Sequence, residues 1–324
     1  MGLFDEQISR KPDLYPWTGN FIKSLQDGFW TVREFNFSSD LQDFRVKLTK
    51  DEQDIIVKAL ATIGQLEISV KKFWAKLGDN LPHPSINDLG YVMANSEVVH
   101  GDAYERLLEV LGLEDAFDEL LKVDIIKGRV HYLRKHLHKF HSDNRKQFIY
   151  SIILFTLFVE NIALFSQFYI ITWFGRYKNL LKDTNKQVEY TFREETLHSE
   201  IGIKIINTIK KEYPDLFDVE LKEKVLHETE QAVKHECEII DWILGDFNHE
   251  KLNPPLLKEF IKDRMNKSLK QIGYKKIFDV DKESIKNTDW FDEQLLGNNM
   301  TDFFSSRPTE YSKNNKSFDE NDLF

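Results

Sequence analysis

The chain has 324 residues, 41% of them hydrophobic, and a formal net charge of −10 at pH 7. This length is enough for one large core or two small ones. An acidic surface repels phosphate groups, which disfavours nucleic acid and anionic membranes as partners. The single cysteine, Cys237, allows no internal disulfide and no thiolate metal site. This cysteine usage, together with an acidic N-terminus unlike a signal peptide, predicts a cytoplasmic protein.

Helical periodicity dominates the chain, whereas strand patterns are scarce. Long helices are predicted at residues 51–78, 85–112, 148–174, 184–212 and 217–246. The third is apolar enough to cross a membrane, but Glu160 lies near its centre, and a carboxylate facing lipid is strongly unfavourable. We therefore predict that this helix is buried in protein and that the fold is an all-α bundle.

The chain changes character near its C-terminus, where residues from 287 onward are polar, charged and rich in Asn and Ser. No glycine-rich phosphate loop, strand–helix alternation or short repeat precedes them, which argues against nucleotide-binding folds and solenoids. The sequence predicts one helical domain over residues 1–290 and a mostly disordered tail over residues 291–324.

Acidic side chains and histidines recur with helical spacing. Glu97 and His100 are three residues apart, Tyr104 follows four residues later, and all three project from one helix face. The same Glu-x-x-His spacing recurs at Glu195 and His198. Either pair alone is a weak signal, because about one such match is expected by chance in a chain rich in Glu.

A lone carboxylate in an apolar helix precedes each pair by thirty to thirty-five residues: Glu67 in ATIGQLEISV and Glu160 in LFVENIALF. Four carboxylates and two imidazoles in one apolar bundle would destabilise it as bare charges, but they suit two divalent cations. Mixed oxygen and nitrogen ligands favour iron or manganese over structural zinc. The same order of ligands is known from ferritin-like di-metal proteins, so we predict a ferritin-like helical bundle with additional helices.

Plainer interpretations apply to several of these residue types. A single buried Glu is more often a hydrogen-bonded core acid or an ion-pair partner than a ligand, although the apolar surroundings of Glu160 favour a ligand there. A group of four histidines shares no single helix face: His131, His136, His138 and His141. Asp246 and His249 lie beyond the helix-ending Gly245. We predict no metal site at either place.

On these residues, the sequence resembles the small (beta), radical-generating subunit of class I ribonucleotide reductase along almost its whole length. The resemblance implies a dinuclear metal centre. The implied ligands are Glu67, Glu97 and His100 for the first metal and Glu160, Glu195 and His198 for the second. Glu97 and Glu195 would bridge the two metals. Tyr104 corresponds to the tyrosine that stores a radical in many members of the family.

The resemblance also implies residues for electron transfer and docking. Trp30 corresponds to the tryptophan that carries the oxidising equivalent away from the metals, and Glu194 to the acid that links it to a ligand histidine. Tyr311 resembles the tail tyrosine that continues this relay. The tail, with its spaced apolar residues, would dock on the large (alpha) catalytic subunit and become ordered on binding. The resemblance further implies a homodimer.

Departures from the family pattern bear on the metal. Many members that store a tyrosyl radical have Asp where this chain has Glu67 and Glu194. Lys71, one turn after Glu67, would share its helix face, and an ammonium beside Tyr104 would oppose loss of an electron from the phenol. We therefore hypothesise that the metals themselves hold the oxidising equivalent, with radical storage on Tyr104 as the open alternative. A manganese pair is favoured, with an iron pair or a manganese–iron pair as alternatives and dioxygen or superoxide as the oxidant.

Two other functions compete with this one. Small-subunit-like ligand-binding oxidases share the six ligands but crosslink a tyrosine to a valine. This chain has Val70 at the valine position but Phe155 at the tyrosine position, and together with the retained tail this disfavours the oxidase. A ferritin-type storage protein would need neither the tryptophan nor a tail with a tyrosine. The resemblance also places Leu164 and Phe168 in an apolar shell near the second metal, on the α-helical face of Glu160. Both are equally compatible with ordinary core residues.

Overall fold

The structure is a computed structural model, and it describes residues 2–120 and 122–294; the side chains of residues 65, 67–70 and 116 lie outside the description. The chain divides into two compact units, Met1–Thr288 and Asp289–Phe324. Of the second unit, the structure describes residues 289–294, which are helical. All elements named below belong to the first unit.

The first unit is built from α-helices. In chain order these are α1 (Trp17–Asp27), α2 (Ser38–Gln42), α3 (Lys50–Ala75), α4 (Leu77–Asn80), α5 (Pro84–Leu111), α6 (Glu114–Leu120), α7 (Asp124–Leu133), α8 (Asn144–Leu154), α9 (Phe165–Lys178), α10 (Lys182–Glu212), α11 (Val219–Leu244), α12 (Pro254–Gln271) and α13 (Lys282–Ile285). Over the described ranges there is no β-strand, only an isolated bridge between His249 and Leu252. The all-α prediction is therefore confirmed.

Local sequence signals explain where the long helices begin and end. α3 begins with a capping box, in which the Thr49 hydroxyl accepts from the Glu52 N–H and the Glu52 carboxylate accepts from the Thr49 N–H. α5 begins at Pro84 and ends before Gly112, whose φ of +70° suits glycine. α11 follows Asp218, whose carboxylate accepts from an N–H in the first helical turn at 3.0 Å.

Four long segments surround the centre of the first unit: α3, α5, the stretch from α8 to α9, and α10. α3 packs along α5, and α10 packs against α9 and also contacts α5. Residues 152–174 are all buried. The segment Asn144–Lys178 is long and apolar enough to cross a membrane, yet 94% of its most apolar window lies inside the protein. This agrees with the prediction of a buried core segment.

The stretch from α8 to α9 is not the continuous α-helix that the sequence predicts. Phe155–Ala163 form a π-helix, here called the π segment, in which hydrogen bonds span five residues and each turn is wider than in an α-helix. Glu160 lies within it. Every residue of the π segment is buried, so no polar face marks the change of helical period in the sequence.

Close packing joins α10 to the π segment at Gly202. A Cβ atom at this position would lie 2.2 Å from Oγ1 of Thr156, so any side chain would collide with the π segment. Thr156 lies four residues before Glu160, and Gly202 lies four residues after His198. The contact therefore fixes the spacing of two segments that carry predicted ligands.

Candidate metal centre

The structure gathers four of the six predicted ligands into one buried group. One ligand atom from each of Glu97, Glu160, Glu195 and His198 lies within 4.8 Å of the other three, and all four side chains are buried. Glu97 is on α5, Glu160 on the π segment, and the other two on α10. Among the side chains that the structure describes, this is the one cluster of potential ligands.

Each bridging candidate faces both imidazoles. Nδ1 of His198 lies 2.9 Å from Oε1 of Glu97 and 3.5 Å from Oε2 of Glu195. Nδ1 of His100 lies 3.3 Å from Oε2 of Glu97 and 3.0 Å from Oε1 of Glu195. Both carboxylates therefore turn one oxygen towards each histidine. Glu160 belongs to one side of the group, with its Oε2 at 3.6 Å from Nδ1 of His198.

Many buried polar atoms of this group have no hydrogen-bond partner: both oxygens of Glu97, both oxygens of Glu195, Oε2 of Glu160 and both ring nitrogens of His198. Buried carboxylates without donors are strongly destabilising. Divalent cations would satisfy these atoms, and carboxylate oxygen with imidazole nitrogen is a donor set that iron and manganese accept. The residues present therefore fit a metal centre.

Trp74 distinguishes Glu160 from the other carboxylates. The indole N–H of Trp74, which is fully buried on α3, donates to Oε1 of Glu160 at 2.8 Å. Glu160 has one oxygen left for a cation, whereas Glu97 and Glu195 each have two. Trp74 is not among the site residues predicted from the sequence. The available signal was its position seven residues after Glu67, which places both on one face of α3.

Burial and mutual proximity separate the pKa values of these groups. Burial, followed by the charge of Glu195, raises the pKa of Glu160 well above its usual range. Burial opposes ionisation of Glu195, but its close approach to Glu160 and to the two histidines outweighs burial and lowers the Glu195 pKa well below its usual range. Burial opposes charge on His198, but the neighbouring carboxylates raise its pKa well above 6.5. Without metal, bound protons therefore supply part of the missing positive charge.

A hydrogen-bonded chain connects the group to Trp30. The indole N–H of Trp30 donates to Oε2 of Glu194 at 2.9 Å, and the same oxygen lies 2.7 Å from Nε2 of His100. The rings of Trp30 and His100 are stacked, with centroids 6.1 Å apart. Because Glu194 binds Nε2, the imidazole of His100 is oriented with Nδ1 towards the ligand carboxylates.

Tyr104 and Lys71 approach the centre from neighbouring helices. Tyr104, one turn beyond His100 on α5, is 1% exposed, and its hydroxyl donates to Oγ1 of Thr191 at 3.4 Å. Lys71 is half-buried on α3. A Cβ atom at Gly101 would lie 3.9 Å from its Nζ, so the ammonium lies beside the turn of α5 that leads to Tyr104.

Some predicted residues lie outside what the structure describes. The backbone of Glu67 is on α3, but its side chain, like that of Val70, is not among the described ones. Tyr311 and the predicted docking tail lie in residues 295–324, which are outside the description.

The π segment changes the expected placement of the two apolar residues predicted near the second metal. Leu164 and Phe168 are buried, but the α-helical spacing that placed them on the face of Glu160 does not hold across a π-helix.

Phe155 stacks on Phe73 with ring centroids 3.9 Å apart. A hydrocarbon ring thus occupies the position where the crosslinking oxidases need a phenol. Among the described side chains, no ligand group forms at residues 131–141 or at residues 246–249.

Comparison with known proteins gives consistent relatives. The family model described as "Ribonucleotide reductase, small chain" matches residues 8–285. A probable ribonucleoside-diphosphate reductase small subunit of Invertebrate iridescent virus 3 is 22% identical, over 96% of this chain and 86% of the viral one. The ribonucleoside-diphosphate reductase subunit beta of Chlamydia pneumoniae is 25% identical, over 93% of this chain and 88% of its own.

Solved structures share the fold. A putative class I ribonucleotide reductase from Bacillus halodurans is 24% identical, with a TM-score of 0.78 over 85% of this chain and 99% of that one. Dimanganese(II)-NrdF of Streptococcus sanguinis is 16% identical, with a TM-score of 0.74 over 87% of this chain and 97% of that one. These likenesses confirm the ferritin-like bundle. Because the family model spans most of its length, the chain belongs to the family of ribonucleotide reductase small chains.

Proposed function

We propose that this small subunit of ribonucleotide reductase holds two metal ions and supplies an oxidising equivalent to the large (alpha) subunit, which reduces ribonucleotides to deoxyribonucleotides. Membership of the family supports the role as reductase subunit. The observation that carries the metal centre is the pair of buried carboxylates, Glu97 and Glu195, whose four oxygens have no hydrogen-bond donor and face both imidazoles.

The ligand set follows from the same geometry and from the resemblance. The proposed ligands are Glu67, Glu97 and His100 for the first metal and Glu160, Glu195 and His198 for the second. Glu97 and Glu195 are the proposed bridges, because each turns one oxygen to each histidine. Glu160 is a proposed terminal ligand, because Trp74 occupies its other oxygen.

A manganese pair is the metal we favour, with an iron pair and a manganese–iron pair as alternatives. The related fold from Streptococcus sanguinis is a dimanganese(II) protein. When bound, the metals would supply the redox chemistry by which dioxygen or superoxide yields an oxidising equivalent. The buried carboxylates would favour higher oxidation states through their negative charge, and the apolar surroundings would exclude water.

Trp30 is the proposed exit for the oxidising equivalent. Glu194 contacts both the Trp30 indole N–H and the ring of His100, so the three groups form one hydrogen-bonded path. The carboxylate of Glu194 is placed to accept the indole proton when the ring gives up an electron. Tyr311 is the proposed continuation of this path in the tail.

Tyr104 is not the proposed store of the oxidising equivalent. The ammonium of Lys71 beside this part of α5 raises the cost of removing an electron from the phenol. In EPR spectra of the activated protein, we expect Tyr104→Phe to retain the radical-competent signal. Tyr169→Phe is the matched control, since that buried hydroxyl bonds to the carbonyl of Lys251. Loss of all such signal in Tyr104→Phe alone would contradict this proposal.

The remaining proposals concern partners. We propose that the tail docks on the large subunit, that two copies form a homodimer and that the protein acts in the cytoplasm. The net charge of −10 supports the absence of a nucleic-acid partner.

The test combines the metal content of the purified full-length chain with a ribonucleotide reduction assay in the presence of its cognate large subunit. We expect two metal ions per chain and activity that depends on them. Trp30→Phe should retain the metals but lose activity, whereas Trp17→Phe should retain both. Uptake of many ions per chain without reductase activity would instead indicate a storage function.

A deletion tests the tail separately. Removal of residues 305–324 should abolish reduction while the metal content stays unchanged, because docking and the relay through Tyr311 are lost together. Full activity of the shortened chain would contradict both roles of the tail.

A further inference from the structure

Two arginines donate hydrogen bonds to main-chain carbonyl oxygens of the π segment. Arg129 on α7 donates through Nη2 to the carbonyl of Ala163. Arg264 on α12 donates through Nε to the carbonyl of Asn161 at 3.1 Å and through Nη2 to the side-chain oxygen of the same residue at 2.9 Å. The two carbonyls lie one and three residues after Glu160. The arginines therefore bind the backbone next to a proposed ligand.

The donor from Arg129 stands at the end of the π segment, where the chain returns to an α-helix. π-helices are rare, and the hydrogen-bond register must return from five residues to four where the regular α-helix resumes. At such a change, a main-chain carbonyl loses its regular donor, and a buried carbonyl without a donor is destabilising. Ala163 is the last residue of the π segment, and α9 begins at Phe165. The guanidinium of Arg129 thus supplies a donor at the point of return.

Arg129 also connects the π segment to two other helices. It is fully buried, and it donates through Nη1 to the carbonyl of Thr62 on α3 at 2.6 Å and through Nε to Glu236 on α11 at 3.0 Å. Tyr132 donates to the same oxygen of Glu236. Thr62 lies five residues before Glu67. A planar guanidinium with five donors can serve these separate acceptors, whereas a single ammonium cannot reproduce the same geometry.

We propose that Arg129 and Arg264 are positioning residues for the metal centre: they hold the wide turn of the π segment and thereby fix Glu160 within the ligand group. This inference rests on the proposed metal-binding function. Arg129 has the larger role, because it also ties the π segment to α3, the helix that carries Glu67. Neither arginine is itself a ligand.

The variants are chosen so that no buried charge is left alone. Arg129→Met combined with Glu236→Met removes the guanidinium together with its counter-ion. The matched control combines Lys135→Met with Glu228→Met, an ion pair that joins the turn directly after α7 to α11 but does not bind the π segment. Arg129→Lys keeps the positive charge beside Glu236 but cannot reach all the acceptors.

Mn(II) alone is the probe, titrated into the metal-free full-length chain and followed by calorimetry and by EPR of the bound ion. We expect two sites in the wild type. In the Arg129→Met/Glu236→Met variant and in Arg129→Lys, we expect at least tenfold weaker binding at one site, with the control pair unchanged. Equal affinities in all four proteins would overturn the positioning role. Absence of paired Mn(II) binding in the wild type would instead contradict the proposed function.

A second measurement needs no metal. In the metal-free proteins, the amides of Phe155–Ala163 should exchange with deuterium at least tenfold faster in Arg129→Met/Glu236→Met than in the wild type or the control pair. Arg264→Gln should give a smaller acceleration in the same peptide, because it removes one side of the support. Unchanged exchange, or a crystal structure of the double variant with the π segment intact, would overturn the inference even if the metal titration fails for other reasons.

Discussion

Two of the buried groups of charged side chains in the first unit differ in how their charge is satisfied. In the ion pair of Arg129 and Glu236, the guanidinium faces a carboxylate and main-chain carbonyls, and Tyr132 adds a further donor. In the ligand group, the oxygens of Glu97 and Glu195 have no donor. In the first group the guanidinium gives Glu236 a counter-charge, although Oε2 of Glu236 has no hydrogen-bond partner; in the second group, bound cations would supply the counter-charge. A buried carboxylate therefore indicates a metal site only where the fold supplies no counter-charge.

The largest expected effect on stability comes from adding divalent cations, which would give the ligand group a counter-charge as Arg129 does for Glu236. Mn(II) at about a hundred times the dissociation constant of each site should raise the free energy of unfolding by about 2.7 kcal/mol per site, roughly 5 kcal/mol for two sites. Urea denaturation with and without Mn(II) measures this, with Mg(II) as the control ion. Equal stability with Mn(II) and without it would show that the ligand group needs no metal.

Removing one member of the ion pair should leave the other member buried without a counter-charge. Arg129→Met leaves Glu236 buried without its counter-ion, and we expect the free energy of unfolding to fall by about 3–5 kcal/mol. Adding Glu236→Met should restore most of the loss, because no charge then remains unpaired. Urea denaturation of the single and double variants gives both values. A double variant as unstable as the single one would contradict this account of the pair.

In the metal-free protein, neutralising one carboxylate of the ligand group should leave the free energy of unfolding unchanged or raise it, whereas Arg129→Met lowers it. Glu160→Gln mimics the neutral side chain that burial and Glu195 favour, and it keeps an oxygen for the indole of Trp74. We expect the metal-free protein to be as stable as the wild type or more stable, by up to about 1 kcal/mol. Reduction activity should fall at least about 100-fold. A strongly destabilised metal-free variant would instead indicate that Glu160 has a structural role like that of Glu236.

A further expected effect is a pH dependence confined to the metal-free protein. The pKa values of Glu160 and His198 are raised on folding, so above their ordinary values of 4.5 and 6.5 the folded chain binds more protons than the unfolded one. Its stability should therefore fall as pH rises from 6.5 to 8, by about 1.4 kcal/mol per pH unit for each extra proton that the folded chain binds. The lowered pKa of Glu195 acts only near and below pH 4.5.

Urea denaturation at several pH values measures this slope. Bound Mn(II) should remove it, because the metal competes with protons for the same atoms. Stability that rises with pH in the metal-free protein would contradict the proton uptake described for Glu160 and His198.

Much of the fold and of the candidate site follows from local sequence spacing. A carboxylate and a histidine three residues apart share a helix face, and apolar neighbours turn that face inward. These two facts predict the long helices and the approach of Glu97, Glu195 and His198. The contact of Trp30 with Glu194 came from the resemblance alone, since 164 residues separate them and no local pattern joins them.

The parts that the sequence did not predict depend on long-range packing. Arg129 lies in DIIKGRVHYL, and an arginine in a short helix usually faces solvent, whereas Glu236 lies in a helix with many Glu residues. Nothing local indicates that these two side chains meet. The π segment is hidden for another reason, because a helical period can be read only where one face is polar. Its residues are all buried, so the sequence there fits an α-helix equally well.

The contact at Gly202 has a consequence for the choice among ions. Because Gly202 of α10 packs against the Thr156 side chain of the π segment, the separation of these two ligand-carrying segments depends on close packing at a glycine, and packed helices do not yield by small continuous amounts. A ligand cage of fixed width discriminates between ions by radius. Gly202→Ala would separate the two segments by about the size of a methyl group and shift the preference towards larger cations. Gly202, which has no side chain, would thus influence which ion radius the metal centre prefers.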